Sequence, residues 1–172
     1  MTPSYCYWSV ADGEYARMFA ATIQSARRAG VFKDFHVWAD RPIPEAISHE
    51  AGPFEKWQYL FKLTFLRDAV RKLNYDYFVW LDTDTWFVRN PGNVLRVLKG
   101  SPIHIALESD VCRKENKRSD WWRCPNETFA ALMRTKGVRS RAIFNVNGGL
   151  FICSSGRGGN YLQPCFRFLG VL

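Results

Sequence analysis

Long apolar runs are missing from this chain: none of its 172 residues lies in a stretch approaching the length of a bilayer span, which argues against a helical membrane protein. The first ten residues, MTPSYCYWSV, lack the basic start and apolar core of a signal peptide. The expectation is therefore a chain without a transmembrane segment, with the cytoplasm favoured as its compartment. Cysteine is sparse and badly spaced for metal: there are five, an odd number with no CxxC pair, which excludes a zinc ribbon or a full disulfide framework and leaves free core thiols. Internal repeats, low-complexity tracts and obvious linkers are absent, so one domain is expected over residues 1–172. No helix-turn-helix, zinc-finger or RNA-binding signature accompanies the net charge of +8. Nucleic acid is not expected as a partner; solvated surface accounts for most of the basic residues, and phosphate-bearing small molecules suit the rest.

What the chain does have is rings and alternation. It is 47% hydrophobic, 16% aromatic and 23% charged, a composition that folds around a sizeable core rather than remaining disordered. SYCYWSV reads as a strand, and GEYARMFAATIQSARRAG as a helix with Tyr15, Met18, Phe19, Thr22 and Ala26 on one face, ended by Gly30. FHVWAD is a second strand. FEKWQYLFKLTFLRDAVRKL is a longer helix whose core face includes Leu63, Leu66, Val70 and Leu73, and YFVWL is the strand that follows it. PGNVLRVL opens with a proline suited to a helix start, IHIAL is a short strand, and ESDVCRKENKRSDWWRCP reads as a long loop. NETFAALMRT is a helix with Asn126 as N-cap, and NGGLFIC closes the strands. Alternating strands and helices predict an α/β fold: a mostly parallel central sheet covered on both faces.

Within that order one stretch is out of character. YFVWLDTDTWFVRNP runs five mostly apolar residues straight into Asp82 and Asp84. A buried, unpaired carboxylate is costly, and two so close repel. In open α/β sheets ligands bind beyond the carboxyl ends of the strands, where this pair emerges. A turn-capping role for one aspartate is the plain alternative. Two together favour a shared cation, and oxygen-only ligands suit Mg²⁺ or Mn²⁺, which complete their coordination with substrate phosphates.

WLDTDTWFVRNP resembles the DxD segment of glycosyltransferases of the GT-A fold, which carry a nucleotide-diphospho-sugar on a divalent metal. FNVNGGLFI is similar to the Asn-Ser-Gly motif of glycosyltransferase family 8, the glycogenin and galactosyltransferase group, and FKLTFL to that family's Thr-Lys-Leu helix start. The three stand in family order over about residues 55–153. The resemblance implies a Rossmann-like GT-A sheet with DxD at a strand's carboxyl end, and a retaining, metal-dependent transfer of sugar to an acceptor hydroxyl. The donor would be a nucleotide-diphospho-sugar, with UDP-sugar first among the choices; the acceptor (glycan, lipid or protein) is left open. By the same resemblance Asp84 would ligate Mn²⁺ or Mg²⁺ directly, and Asp82 would share the metal and touch the donor ribose. Lys62 would reach the diphosphate, although a solvated helix lysine is its alternative. Asn147 would face the donor sugar or the reaction centre. Gly148 and Gly149 would let the backbone approach the ligand, with a bulge or tight turn as their alternative. Val10, Ala11 and Asp12 lie where the family seats the nucleotide.

The sequence also departs from that family. The C-terminal HxxGxxKPW segment, whose histidine completes the metal shell, has no counterpart; His36, His49 and His104 all precede the Asn-Gly-Gly strand. The middle serine of Asn-Ser-Gly is Gly148 here, and the family's Asp-Gln pair has no match. The expectation is a fragment, or a compact relative whose metal shell is completed differently, with donor binding retained and transfer slow. Trp121 and Trp122 read as a partly buried aromatic pair, with sugar stacking as the alternative. The NET triplet at Asn126 fits a glycosylation acceptor, and Cys112 and Cys124 bracket the polar loop as free thiols or as a disulfide. Two other functions are compatible with the residues. One is a nucleotide-sugar-binding remnant without catalysis. The other is a phosphatase of the haloacid-dehalogenase type, which also places DxD after a strand but has Thr or Val where this chain has Trp86.

Overall fold

A computed structural model describes residues 3–51, 61–92, 103–110, 120–121, 124–135, 137 and 144–155. Two compact units divide them: residues 1–104 with 149–172, and residues 105–148.

The first unit begins with β1 (Tyr5–Ala11), α1 (Gly13–Arg28) and β2 (Phe35–Ala39). Then come β3 (Ile47–Glu50), α2 (Phe61–Lys72) and β4 (Tyr77–Leu81). β1 pairs in parallel with β2 on one side and β4 on the other, and β2 pairs in parallel with β3. β8 (Phe144–Ser154) runs antiparallel to β4, from Tyr77 opposite Ser154 to Leu81 opposite Leu150. With β5 (Ile103–Asp110) the strand order is β3-β2-β1-β4-β8-β5. The mostly parallel α/β sheet that alternation predicted is therefore present. Two features were not anticipated. β3 reads Ile-Ser-His-Glu, with too little apolar character to register as a strand, and it is tolerated because it lies at the sheet's edge. The reversal of β8 leaves no mark in its residue types, which do not encode strand direction.

Side-chain alternation divides the core in two. Tyr5, Tyr7, Phe35, Val37, Val79 and Leu81 face α1, which contributes Ala16, Phe19, Ile23 and Ala26. Cys6, Trp8, Trp38, Phe78, Trp80 and Cys153 form the other cluster, with Leu66 and Ala69 of α2. Cys6 and Cys153 are buried, as expected of core thiols. Phe19, Thr22 and Ala26 are buried as the helical period predicts, but Tyr15 and Met18 are 57% and 42% exposed. The stripe is rotated toward Ala16, Ile23 and Ser25, small or branched residues that let the helix approach the strands closely. α1 ends in a Schellman turn. Gly30, at φ 77°, donates to the Arg27 carbonyl at 3.0 Å, and Val31 to that of Ala26 at 2.9 Å. On α2, Leu66 is buried, and Val70 and Leu73 pack against the same cluster; the Leu63 side chain lies outside the described residues.

In the second unit, β6 (Asp120–Trp121) pairs antiparallel with β7 (Cys124–Pro125), inside the stretch read as a loop. α3 (Asn126–Thr135) follows, and Gly137 closes its end with an N–H bond to the Arg134 carbonyl at 3.0 Å. Of the expected helix at PGNVLRVL only Pro91 and Gly92 are described, neither of them helical; its remaining residues, Trp122 and Cys112 lie outside the described residues. No described helix is long and apolar enough to cross a membrane.

Candidate functional site

β4 is buried along Phe78–Leu81 and then delivers Asp82, Thr83 and Asp84 into a turn, closed by Thr85 N–H on the Asp82 carbonyl at 3.1 Å. The aspartates thus stand at a strand's carboxyl end. Asp82 is half-buried and Asp84 exposed. The Asp82 N–H continues the β4–β8 ladder by donating to the Gly149 carbonyl at 2.9 Å. Gly149 is the one member of the Asn-Gly-Gly motif whose surroundings are described. Asn147 and Gly148 are strand residues of β8, but their environments lie outside the described residues.

Three buried hydroxyls hold the backbone of this segment. Ser9 Oγ on β1 donates to the Leu81 carbonyl at 2.8 Å. Thr22 Oγ1 on α1 donates to the Thr83 carbonyl at 2.8 Å, with the Met18 carbonyl at 3.2 Å as its alternative. Ser25 Oγ accepts the Phe87 N–H at 3.0 Å and donates to the Thr22 carbonyl at 2.7 Å. Farther along, Asn90 Nδ2 donates to the Gly30 carbonyl at 2.8 Å. Buried hydroxyls need partners, and here the partners are backbone groups of the acidic segment. Its path along α1 is thereby set.

The Asp82 side chain is held from the other face. Residues 78, 80 and 82 alternate to the same side, so Asp82 emerges beside Trp80 and over α2. Asp82 Oδ1 accepts the Trp80 indole N–H at 3.0 Å and pairs with Lys62 Nζ at 2.7 Å. The same Nζ lies 4.6 Å from the Trp80 ring centroid, within range of a cation–π contact. Lys62 shares the inner stripe of α2 with Phe65, Leu66 and Ala69, and 24% of its side chain is exposed, so it is not a fully solvated helix lysine. Trp80 is fixed in turn by Trp8, at 4.6 Å between centroids, and by Phe151, stacked at 5.8 Å and 9°.

At the exit of β1, Val10 is half-buried, Ala11 buried and Asp12 half-buried. Asp12 stands at the N-cap of α1 without a side-chain capping bond; Asp40, just past β2, accepts the Gly13 N–H at 3.2 Å instead. Arg41, bonded to both Asp40 oxygens, holds that carboxyl below the usual range, with the Gly13 N–H assisting. The sequence marks Thr22 only as a core-face residue of α1, and it does not mark Trp80, Ser9, Ser25 or Asp40 as site residues. The i, i+2 relation to Asp82 was the available signal for Trp80.

As a donor set the pair fits a hard cation only in part. Among the described residues no group of three or more His, Cys, Asp or Glu side chains converges, so Asp82 and Asp84 supply two protein ligands at most. Mg²⁺ and Mn²⁺ tolerate this, because they keep waters and accept phosphate oxygens. Lys62 adds the positive charge that a diphosphate needs.

No protein-family model matches the sequence, and no curated protein does. Solved structures do match. One is the galactosyltransferase LgtC in complex with donor and acceptor sugar analogs, at TM-score 0.56 and 13% identity over 96% of this chain and 64% of that one. An active-site mutant of LgtC gives 0.55 at 13% identity over 97% and 64%. The apo form of the bifunctional glycosyltransferase WbbM gives 0.58 at 16% identity over 98% and 34%. The chain spans less than two thirds the length of these solved chains. At such identities the likeness is one of architecture: this chain has the α/β fold of solved glycosyltransferases.

Proposed function

We propose that the chain is a GT-A-type glycosyltransferase, most like family 8. In this reading it binds a nucleotide-diphospho-sugar, UDP-sugar first among the choices, through Mn²⁺ or Mg²⁺ on Asp82 and Asp84, and passes the sugar to an acceptor hydroxyl of a glycan, lipid or protein. The observation that carries the reading is a pair of acids at the carboxyl end of β4 with a lysine ammonium 2.7 Å from one of them, in a glycosyltransferase fold. When bound, the cation would supply charge to offset the phosphates. Val10, Ala11 and Asp12 would line the nucleotide, and Gly149 would let the diphosphate approach β8. In the transfer, the bond from the anomeric carbon to the diphosphate oxygen breaks and its electron pair stays on the diphosphate. The acceptor oxygen forms the new bond and passes its proton to the departing diphosphate oxygen. Lys62 favours that step by stabilising charge that grows as the leaving group departs. Asn147 would orient the sugar, and retention of configuration follows from the family resemblance.

The test is calorimetry with UDP, in Mn²⁺ and in chelator, on the wild type and on Asp84→Asn. Binding in Mn²⁺ should fall about ten- to a hundredfold in the variant or in chelator, the scale of one lost charged contact. The melting temperature of the free protein should be unchanged, because Asp84 is exposed. Equal UDP binding with and without metal refutes the reading, and turnover of a phosphomonoester in place of a UDP-sugar redirects it to the phosphatase.

A further inference from the structure

Lys62, Trp80 and Asp82 form a closed triangle. Asp82 Oδ1 takes both the lysine ammonium, at 2.7 Å, and the indole N–H, at 3.0 Å, while the ammonium also lies 4.6 Å from the centre of the indole ring. The indole is the rigid member. It is 2% exposed and wedged between Trp8 and Phe151. The lysine is the mobile one, a point charge on a four-carbon stem. The carboxylate on which a divalent cation would bind therefore already holds a cation, which belongs to the protein.

We propose that Trp80 is a positioning residue that seats Lys62 on Asp82 as a placeholder cation, so that metal alone is held off and metal and nucleoside diphosphate enter together. The inference rests on the donor-site reading above. Its physical content is competition followed by exchange. Lys62 cannot keep its contact with Oδ1 once that oxygen is taken by another cation, since two positive charges at contact distance repel. Released into water, the ammonium would lose its partners; released beside a diphosphate, it gains phosphate oxygens. The ring face lets Lys62 swing from one acceptor to the other while keeping its cation–π contact. The arriving diphosphate thus makes up what the arriving metal displaces, which is positive cooperativity between the two.

This arrangement gives one substitution effects of opposite sign. In Lys62→Met, Mn²⁺ alone, measured by the electron paramagnetic resonance of the free ion, should bind about tenfold more tightly, because a unit charge in contact with the site has gone. UDP in saturating Mn²⁺ should bind about tenfold more weakly, the loss of one charged contact to phosphate. Lys62→Arg should restore the weak binding of Mn²⁺ alone. The indole provides an independent readout. The Trp80 N–H resonance, identified by its loss in Trp80→Phe, should shift when Mg²⁺ and UDP are added together. It should already be shifted in ligand-free Lys62→Met. If Trp80→Phe does not fold, the Mn²⁺ measurements on Lys62→Met and Lys62→Arg decide alone. Unchanged or weaker binding of Mn²⁺ alone to Lys62→Met overturns the placeholder, and so does an indole resonance that stays still while calorimetry detects binding; in both cases the donor site itself stands. Failure of the wild type to bind UDP with Mn²⁺ removes the donor-site reading and the placeholder with it.

Discussion

On the α1 face of the sheet, hydroxyls of Ser9, Thr22 and Ser25 hold the backbone of residues 81–87, whereas on the α2 face the Trp80 indole and the Lys62 ammonium hold the Asp82 carboxylate itself. The first kind of bond is made to the backbone and is independent of what the aspartates bind. The second must be rearranged for Asp82 to do anything. The faces differ in the same way in their cores. The α1 side is built from Phe19, Ile23, Phe35 and Val79, with Tyr7 stacked on Phe35 at 4.9 Å. The α2 side carries Trp8, Trp38 and Trp80 together with the buried His36. The contrast teaches a division of labour, in which one face fixes where the turn is and the other sets what its side chains do.

The largest expected effect comes from breaking the α2 face. Trp8 is fully buried against Trp38, Trp80 and Phe151. Trp8→Ala should cost about 3–5 kcal/mol of stability through the cavity it leaves. Metal-dependent UDP binding should weaken in whatever fraction remains folded, since Trp80 loses its wedge. Urea unfolding and calorimetry check both; undiminished UDP affinity in the folded fraction would separate Trp80's orientation from its packing.

Acid is a gentler attack on the same face. His36 Nδ1 lies 3.0 Å from His49 Nε2 and its Nε2 lies 3.3 Å from the Tyr75 hydroxyl, which donates to Asp34. Burial, with the neighbouring His49 adding to it and Asp34 opposing, lowers the His36 pKa from 6.5 to about 4. Burial and Lys72 lower that of His49, while burial and Asp34 raise that of Tyr75. Because the folded-state pKa of His36 is depressed, the unfolded chain takes the proton first. Stability is full above about pH 6.5 and falls as pH drops toward 4, by on the order of 2–3 kcal/mol. Denaturant midpoints measured across that window should decline in the wild type and more shallowly in His36→Asn; parallel curves would exclude His36 as the source.

The smallest expected effect lies on the α1 face and sharpens the comparison. Thr22→Val removes the hydroxyl that reaches Thr83 without changing shape, and should cost about 1 kcal/mol of stability. UDP affinity in Mn²⁺ should fall only a fewfold, because Trp80 and Lys62 still hold the Asp82 side chain. A loss as large as that of Asp84→Asn would mean that backbone placement, not the carboxylate's partners, dominates the site.

Much of the fold is written in local pattern. The five apolar residues of β4 appear at the residues expected, as does the α1 stop at Gly30, because a buried strand and a positive-φ cap both demand particular residue types. β3 was not legible, since an edge strand of Ile-Ser-His-Glu is held by its neighbour rather than by its own composition. The helical period of α1 found Phe19, Thr22 and Ala26 but put Tyr15 and Met18 on the core face, where Ala16 and Ile23 stand instead. Which small residues go inside depends on how closely the helix approaches β1 and β2.

The candidate site divides the same way. That Asp82 and Asp84 end a buried strand could be read from the chain alone, because charge after a long apolar run has few physical solutions. That Lys62 meets Asp82, that Trp80 bridges them, and that Ser9, Thr22 and Ser25 tie down the turn depend on contacts between residues 20 to 72 positions apart, apart from the Trp80–Asp82 pair. No local pattern encodes such contacts; they follow from the register of β1 on β4 and from the face each helix turns to the sheet. The acids and the strand that carries them are therefore written in the chain. Which cation stands beside Asp82 is a matter of packing, because a lysine on a helix becomes a partner when its side of the helix is brought to the carboxylate.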